Sequence, residues 1–106
     1  MISIDKFFET QLKVGTIKIV EFVEGSHGLY KLSIDLGETE LRTVLSKIAK
    51  YYEPEELLNK QVCVVANLEE KTILGIKSQG MVLMANTEKP TLISPITPVE
   101  PGTDLT

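Results

Sequence analysis

Residues Val62 to Ala85, VCVVANLEEKTILGIKSQGMVLMA, carry two apolar runs separated by a polar connection. Val62 to Ala66 is unbroken apolar sequence that ends at Asn67-Leu68. The chain then passes Ile73-Leu74-Gly75-Ile76 and a small-polar turn at Ser78-Gln79-Gly80 before the second run, Met81 to Ala85. Short apolar runs bounded by turn residues read as buried strands. The stretch therefore predicts a fourth strand over Gln61 to Asn67 and a fifth over Gly80 to Ala85, with a long, partly ordered loop between them.

Upstream, the pattern is also that of strands. Leu12 to Val23 is rich in β-branched residues and long for one strand, and both of its faces are partly apolar. Gly15 within it predicts a bulge or sharp bend. Leu29 to Leu36 alternates cleanly, with Tyr30, Leu32, Ile34 and Leu36 on the core side and Lys31, Ser33 and Asp35 on the other. The turn at Gly37-Glu38-Thr39 returns the chain as a third strand, Glu40 to Leu45, in an antiparallel hairpin. Ser3 is placed to cap a short helix over Ile4 to Thr10, whose Ile4, Phe7 and Phe8 would pin an apolar edge to the body. Ser46 is placed to cap a helical turn through Tyr52, and Pro54 to start another that closes at Leu57-Leu58. Beyond Asn86 the prolines break the sequence into short edge strands and loops.

Three strands, a helical connection, then two strands is the element order of an OB-fold. The expected architecture is all-β: a five-stranded OB-fold barrel with short helical insertions and extra C-terminal strands, in one domain over residues 1–106. A small sandwich is the alternative. The long Gly-bearing first strand favours the barrel, because one bent strand can pair with both sheets.

Composition narrows the function. No apolar run approaches the ~20 residues that span a bilayer, and Met1 to Lys6 lacks the basic start of a signal peptide, so no membrane association is expected and the cytosol is the expected compartment. One cysteine, Cys63, excludes an internal disulfide or a cysteine metal cluster, and it sits in an apolar strand as a small hydrophobe. The one histidine, His27, lies in a turn with no nucleophile motif around it and reads as a solvated loop residue. Glu55-Glu56 and Glu69-Glu70 are adjacent pairs that do not share a face, and no Gly-rich phosphate loop is present. The chain is expected to be neither an enzyme nor cofactor-dependent. A net charge of −4 opposes nonspecific nucleic-acid binding but leaves room for a local basic strip. On an OB barrel, strands two and three with the loops after strands one and four form the usual oligonucleotide surface. Lys31 and Arg42 project from those strands, and Lys71 and Lys77 lie in the loop after strand four.

At Asn67-Leu68…Gly75-Ile76-Lys77-Ser78-Gln79-Gly80-Met81 the sequence closely resembles the tRNA-binding OB domains. These occur at the C-terminus of many bacterial methionyl-tRNA synthetases, as stand-alone dimeric tRNA-binding proteins and in cytokine-like synthetase cofactors. The resemblance continues through Leu12-Lys13-Val14-Gly15, Leu29-Tyr30-Lys31-Leu32, Ile34-Asp35-Leu36-Gly37, Ile48-Ala49-Lys50-Tyr51-Tyr52 and Pro54-Glu55-Glu56-Leu57. It implies structure-dependent, sequence-tolerant tRNA binding without catalysis. It also implies a homodimer made through the terminal segments and, as a further partner, an aminoacyl-tRNA synthetase. Carried over residue by residue, it implies that Asn67 and Ser78 hydrogen-bond sugar or backbone groups and that Met81 packs under a ribose or base. Lys31, Arg42, Lys71 and Lys77 would meet phosphates.

The sequence departs from the family in three places. His27-Gly28 stands where relatives commonly have an acid followed by Lys, and Lys47 where they often have Gly. Glu69-Glu70-Lys71-Thr72 replaces a basic, Pro-containing run. Weaker tRNA affinity, or a shifted function, is the expectation. Secretion-type chaperones share this fold, and an acidic rim beside an apolar groove would suit unfolded polypeptide, which makes that the alternative reading. A start at Met1 and an end soon after the last expected strand fit a free-standing chain.

Overall fold

A computed structural model describes all residues, Met1 to Thr106. Its centre is β1, Leu12–Phe22, an eleven-residue strand that serves two partners. Its second half pairs antiparallel with β2, Tyr30–Asp35, and its first half with β4, Gln61–Val65. Thr16 lies at the crossover, opposite both Asp35 and Gln61. β2 continues to β3, Arg42–Ser46, with Tyr30 opposite Ser46 and Ile34 opposite Arg42. The helical insertion is a single turn, α2, Pro54–Leu57, after which the chain enters β4. β4 then pairs with β7, Met81–Val82, giving the order β3-β2-β1-β4-β7 in a five-stranded, nearly closed barrel. The expected OB-type architecture and its bent, shared first strand are as the sequence predicts.

The bend arises differently from the expectation. Strict alternation from Val14 puts Ile17 and Val20 on opposite faces, yet Ile17 is fully buried and Val20 packs against the same core. The β1–β2 register slips between Ile17 and Ile19, so Lys18 is the bulged residue and the slip turns Val20 inward. Gly15 has a steric role instead. A Cβ there would sit 2.5 Å from Ile34 Cγ2 and 2.9 Å from Leu36 Cδ2, so the strand can approach the core only without a side chain.

The core joins Ile17, Leu32, Ile34, Val44, Val62 and Val64, with Leu57 of α2 and Ile48 plugging one end of the barrel. Ile48 to Tyr52 forms a hydrogen-bonded turn rather than a helix, and Ser46 ends β3 rather than capping it. α2 is held by a capping box in which Glu53 and Glu56 exchange side-chain and backbone bonds.

α1, Ile4–Phe7, is capped by the Ser3 hydroxyl as expected, but its apolar side chains stay exposed and do not pin it to the body of this chain. The clamp is Asn67. Its Oδ1 accepts the Gln11 amide at 2.8 Å and its Nδ2 donates to the Glu9 carbonyl at 2.6 Å.

The partly ordered connection expected after β4 takes a definite form. It holds the hairpin of β5, Lys71–Ile73, and β6, Ile76–Ser78, turned by Leu74 and Gly75, both at positive φ. After β7 the expected fifth strand breaks at Leu83. Its remainder, β8, Met84–Ala85, pairs with β9, Thr91–Leu92, in a separate ribbon. The last residues lie beside the start of β1, where β2 has ended. There Val14 bonds the Thr103 carbonyl and the Gly102 amide, and the Leu105 amide bonds the Leu12 carbonyl.

Candidate nucleic-acid interface

Antiparallel pairing places cross-strand partners on one face of a sheet. Glu21, Lys31 and Leu45 therefore form one row on the outer face of β1, β2 and β3, and Ile19, Ser33 and Thr43 form the next. Beyond β3 no strand ladder closes the barrel. The amides along its free edge are met instead by the chain leaving β6. Gln79 Oε1 accepts Thr43 N–H at 3.0 Å, Ser78 Oγ accepts Leu45 N–H at 3.0 Å, and the Gln79 amide donates to the Thr43 carbonyl at 2.8 Å. Small and amide side chains at 78 and 79 thus seal a seam that backbone alone leaves open.

The seam floors a groove of about 600 Å³ between β3 and the β5–β6 hairpin. Leu45, Leu68 and Met81 give it an apolar bed, Lys47 and Lys71 stand on its walls, and Glu69 marks its rim. The groove continues past Lys47 into a second cleft of about 520 Å³, between His27 of the β1–β2 loop and Leu74 at the hairpin tip. The chain's two ion pairs, Lys13 with Asp104 and Arg42 with Glu38, leave Lys31, Lys47, Lys71 and Lys77 unpaired.

The seven residues singled out in the sequence fall into three groups. Lys71 and Met81 line the groove, and Lys31 lies next to it in the row of Leu45, across from Glu21. Lys77 is exposed but pairs with Thr72, so it shares the opposite face of the hairpin from Lys71, Ile73 and Ser78. Arg42, Asn67 and Ser78 are committed to the protein. The Arg42 guanidinium donates to both Glu38 carboxylate oxygens and to the carbonyls of Ala66 and Gln79. Asn67 clamps the α1–β1 connection, and Ser78, only 7% exposed, also donates to the Gly80 carbonyl at 3.3 Å.

The sequence reading takes His27 as a solvated loop residue and Lys47 as a departure from the family pattern, and assigns neither to the site. Lys47 directly follows the end of β3, and both residues line the second cleft. The signal was present, since a strand ending at Ser46 presents the next side chain at the mouth of the barrel.

An acidic hollow adjoins the other side of the seam, lined by Glu38, Glu40, Glu70, Leu41, Leu68 and the Arg42 side chain.

The titration of two buried groups is set by burial. The Tyr30 phenol is pushed above its ordinary value by burial and then by the charges of Glu53, Glu55 and Glu56, and its hydroxyl donates to the Tyr52 carbonyl at 2.6 Å. Burial also raises the Cys63 thiol. Neither group lines the groove. Three or more His, Cys, Asp or Glu side chains nowhere converge as a metal set, and no helix is long and apolar enough to cross a membrane.

Residues 12–104 match the family model described as "Putative tRNA binding domain". The methionine–tRNA ligase of Methanocella arvoryzae is 44% identical over 102 residues, which is 96% of this chain and 15% of that enzyme. The chain thus spans about 15% of the length of such relatives. Among solved structures, a MetRS-related protein from Pyrococcus horikoshii superposes with a TM-score of 0.91 at 37% identity, covering 100% of this chain and 98% of that one. The CsaA chaperone protein from Picrophilus torridus superposes with a TM-score of 0.92 at 30% identity, with 100% of each chain covered.

Proposed function

Because the chain belongs to the tRNA-binding domain family, we propose that it holds folded tRNA in a structure-dependent, sequence-tolerant way along the Lys47–Lys71 groove. The observation that carries this reading is the groove itself, where unpaired lysines flank an apolar bed on the outer face of the barrel. Lysine ammonium groups meet phosphates as point charges whatever the sequence. Leu45 and the half-exposed Met81 offer a surface to a ribose or base edge. Lys31 and Lys77 extend the positive field on either side. Arg42, Asn67 and Ser78 contribute by holding the seam and the terminal clamp in place. The domain, residues 1–106, acts as a non-catalytic accessory in the cytoplasm, on its own or beside an aminoacyl-tRNA synthetase.

The same reading includes a homodimer. Met1, Ile2, Ile4, Phe7 and Phe8 expose an apolar surface on and before α1, and Leu105 lies close by through its bond to Leu12. A second copy would cover it. Light scattering at micromolar concentration should give twice the chain mass, and a monomer would remove the dimer from the account.

A second reading has its own support. The groove bed is apolar and its rim bears Glu69, which suits an extended polypeptide with basic residues, and the similar protein from Picrophilus torridus is a chaperone. The two are separated by a mobility-shift assay with bulk tRNA alongside an aggregation assay with an unfolded client. Retarded tRNA that is lost in the Lys47→Ala/Lys71→Ala double variant supports the first. Suppressed aggregation with no retarded tRNA replaces it with the second.

A further inference from the structure

The end of the barrel beneath the β1–β2 loop carries a feature that the groove does not use. The loop there is tied by hydrogen bonds. Ser26 Oγ donates to the Val23 carbonyl at 2.5 Å and accepts the Leu29 amide at 3.1 Å, and the Gly28 carbonyl accepts the Ala49 amide at 3.0 Å. The loop is thereby fastened to the turn that runs from Lys47 to Tyr51.

Two connected hollows lie at that junction. One, of about 520 Å³, is bounded by the Phe22 ring, Pro54 and His27. The other, of about 370 Å³, is bounded by His27, Lys47, Lys50 and Tyr51. Phe22 and Tyr51 are 49% and 43% exposed, which leaves aromatic surface open to solvent on both sides of the junction. The stem of Lys50 is laid across Gly28. A Cβ at that glycine would be 3.3 Å from Lys50 Cγ and 3.4 Å from Cε, so the missing side chain is what lets this lysine cover the loop. Neither Lys47 nor Lys50 takes part in an ion pair.

The charges around the junction are graded. Lys47 and Lys50 stand at one end. At the other end, Glu53, Glu55 and Glu56 lie close enough to Tyr30 to raise its phenol. A ligand that is anionic at one end and an uncharged aromatic at the other fits that gradient, and a nucleotide is such a ligand.

We propose that this junction is a second contact site that takes one unpaired ribonucleotide, its base against Phe22 and Pro54 and its phosphate between Lys47 and Lys50. Base–aromatic stacking is sequence-tolerant because every base has a π-face, and lysine binds phosphate without regard to sequence. Lys47 lines both this site and the groove, so a strand leaving the groove reaches it without a gap. The nucleotide belongs to an RNA chain or is free. The first case rests on the RNA-binding reading above, and the second does not.

The test uses the whole chain with two probes, adenosine 5′-monophosphate followed by amide NMR and bulk tRNA followed by fluorescence. Phe22→Leu keeps an apolar side chain and Lys50→Gln keeps the stem over Gly28, and an unchanged urea midpoint verifies folding. Shifts of the Gly28, Ala49 and Lys50 amides on adding the mononucleotide, abolished in the double variant, establish the site for free nucleotide. A loss of about tenfold in tRNA affinity in the double variant establishes it for RNA. The proposal is overturned if the mononucleotide leaves those amides unmoved and the double variant binds tRNA as the parent does. If that happens while Lys71→Ala still weakens tRNA, the groove reading survives the loss of this site. If the parent chain binds no tRNA and yet those amides shift, the groove reading falls while this site stands.

Discussion

Ser78 Oγ accepts the Leu45 amide at 3.0 Å, and this bond, with those of Gln79 to Thr43, closes the barrel at the one place where strand pairing does not. Ser78 is therefore a structural residue that lies directly beneath the groove. Ser78→Ala leaves a half-buried amide without a partner, which costs about 1–3 kcal/mol. The urea midpoint should fall accordingly. If stability is unchanged and only tRNA affinity drops, Ser78 is a contact residue after all.

Arg42 and Lys71 should separate in the same way. Arg42 is tied to Glu38 and to two carbonyls across the seam, whereas Lys71 pairs with no carboxylate. Arg42→Ala should lower the denaturation midpoint, whereas Lys71→Ala should leave it alone and weaken tRNA binding across all tRNAs alike. Equal stability of the two variants would show that the guanidinium's bonds to the seam contribute nothing.

Glu69 stands at the groove rim and opposes a polyanion. Replacing it should strengthen binding, Glu69→Lys more than Glu69→Gln. Each added phosphate contact should steepen the plot of log affinity against log salt by about 0.7 to 0.9. Unaltered affinity and slope in Glu69→Lys would place the RNA elsewhere on the surface.

These expectations show which parts of the sequence were legible. Alternation over Tyr30 to Leu36 places Tyr30, Leu32, Ile34 and Leu36 on the core side, where the structure has them, while Ser33 on the other side is covered as well, which the period does not show. β1 was legible as a strand but not in its facing, since a bulge at Lys18 leaves no mark in composition and shifts every later side chain. The β5–β6 hairpin escaped notice because Ile73 and Ile76 flank a turn of Leu74 and Gly75, and a leucine at positive φ is not a usual turn signal. At the site, the family resemblance points to Ser78 and Asn67, and the expected place on the third strand points to Arg42. Only the fold reveals that each of them makes hydrogen bonds within the chain.

Gly15 offers a check on the core. Gly15→Ala would drive a methyl group into Ile34 and Leu36, and overpacking of this kind costs about 1–3 kcal/mol. A midpoint equal to that of the parent would mean that β1 can move away from β2 without loss.

Alkaline titration probes the opposite end of the barrel. The Tyr30 phenol has its pKa raised in the folded state, so its contribution is present in full below the unfolded value of about 10 and is lost as pH rises through the folded value. Stability should therefore decline above about pH 10, after a decline from Cys63, whose thiol is raised in the same sense. Tyr30→Phe should flatten the upper part of that decline, at the cost of the bond to the Tyr52 carbonyl. A decline of undiminished steepness in Tyr30→Phe would assign it to other groups.

The central claim is that a chain of net charge −4 binds folded tRNA through a local strip of lysines. The direct measurement is a titration of bulk tRNA at about 50 mM and 200 mM salt, a range over which several phosphate contacts change affinity by orders of magnitude. The account predicts saturable binding at the lower concentration that weakens steeply at the higher, with a shallower dependence in Lys47→Ala/Lys71→Ala. Absence of binding at low salt, or binding that is indifferent to salt, would contradict it.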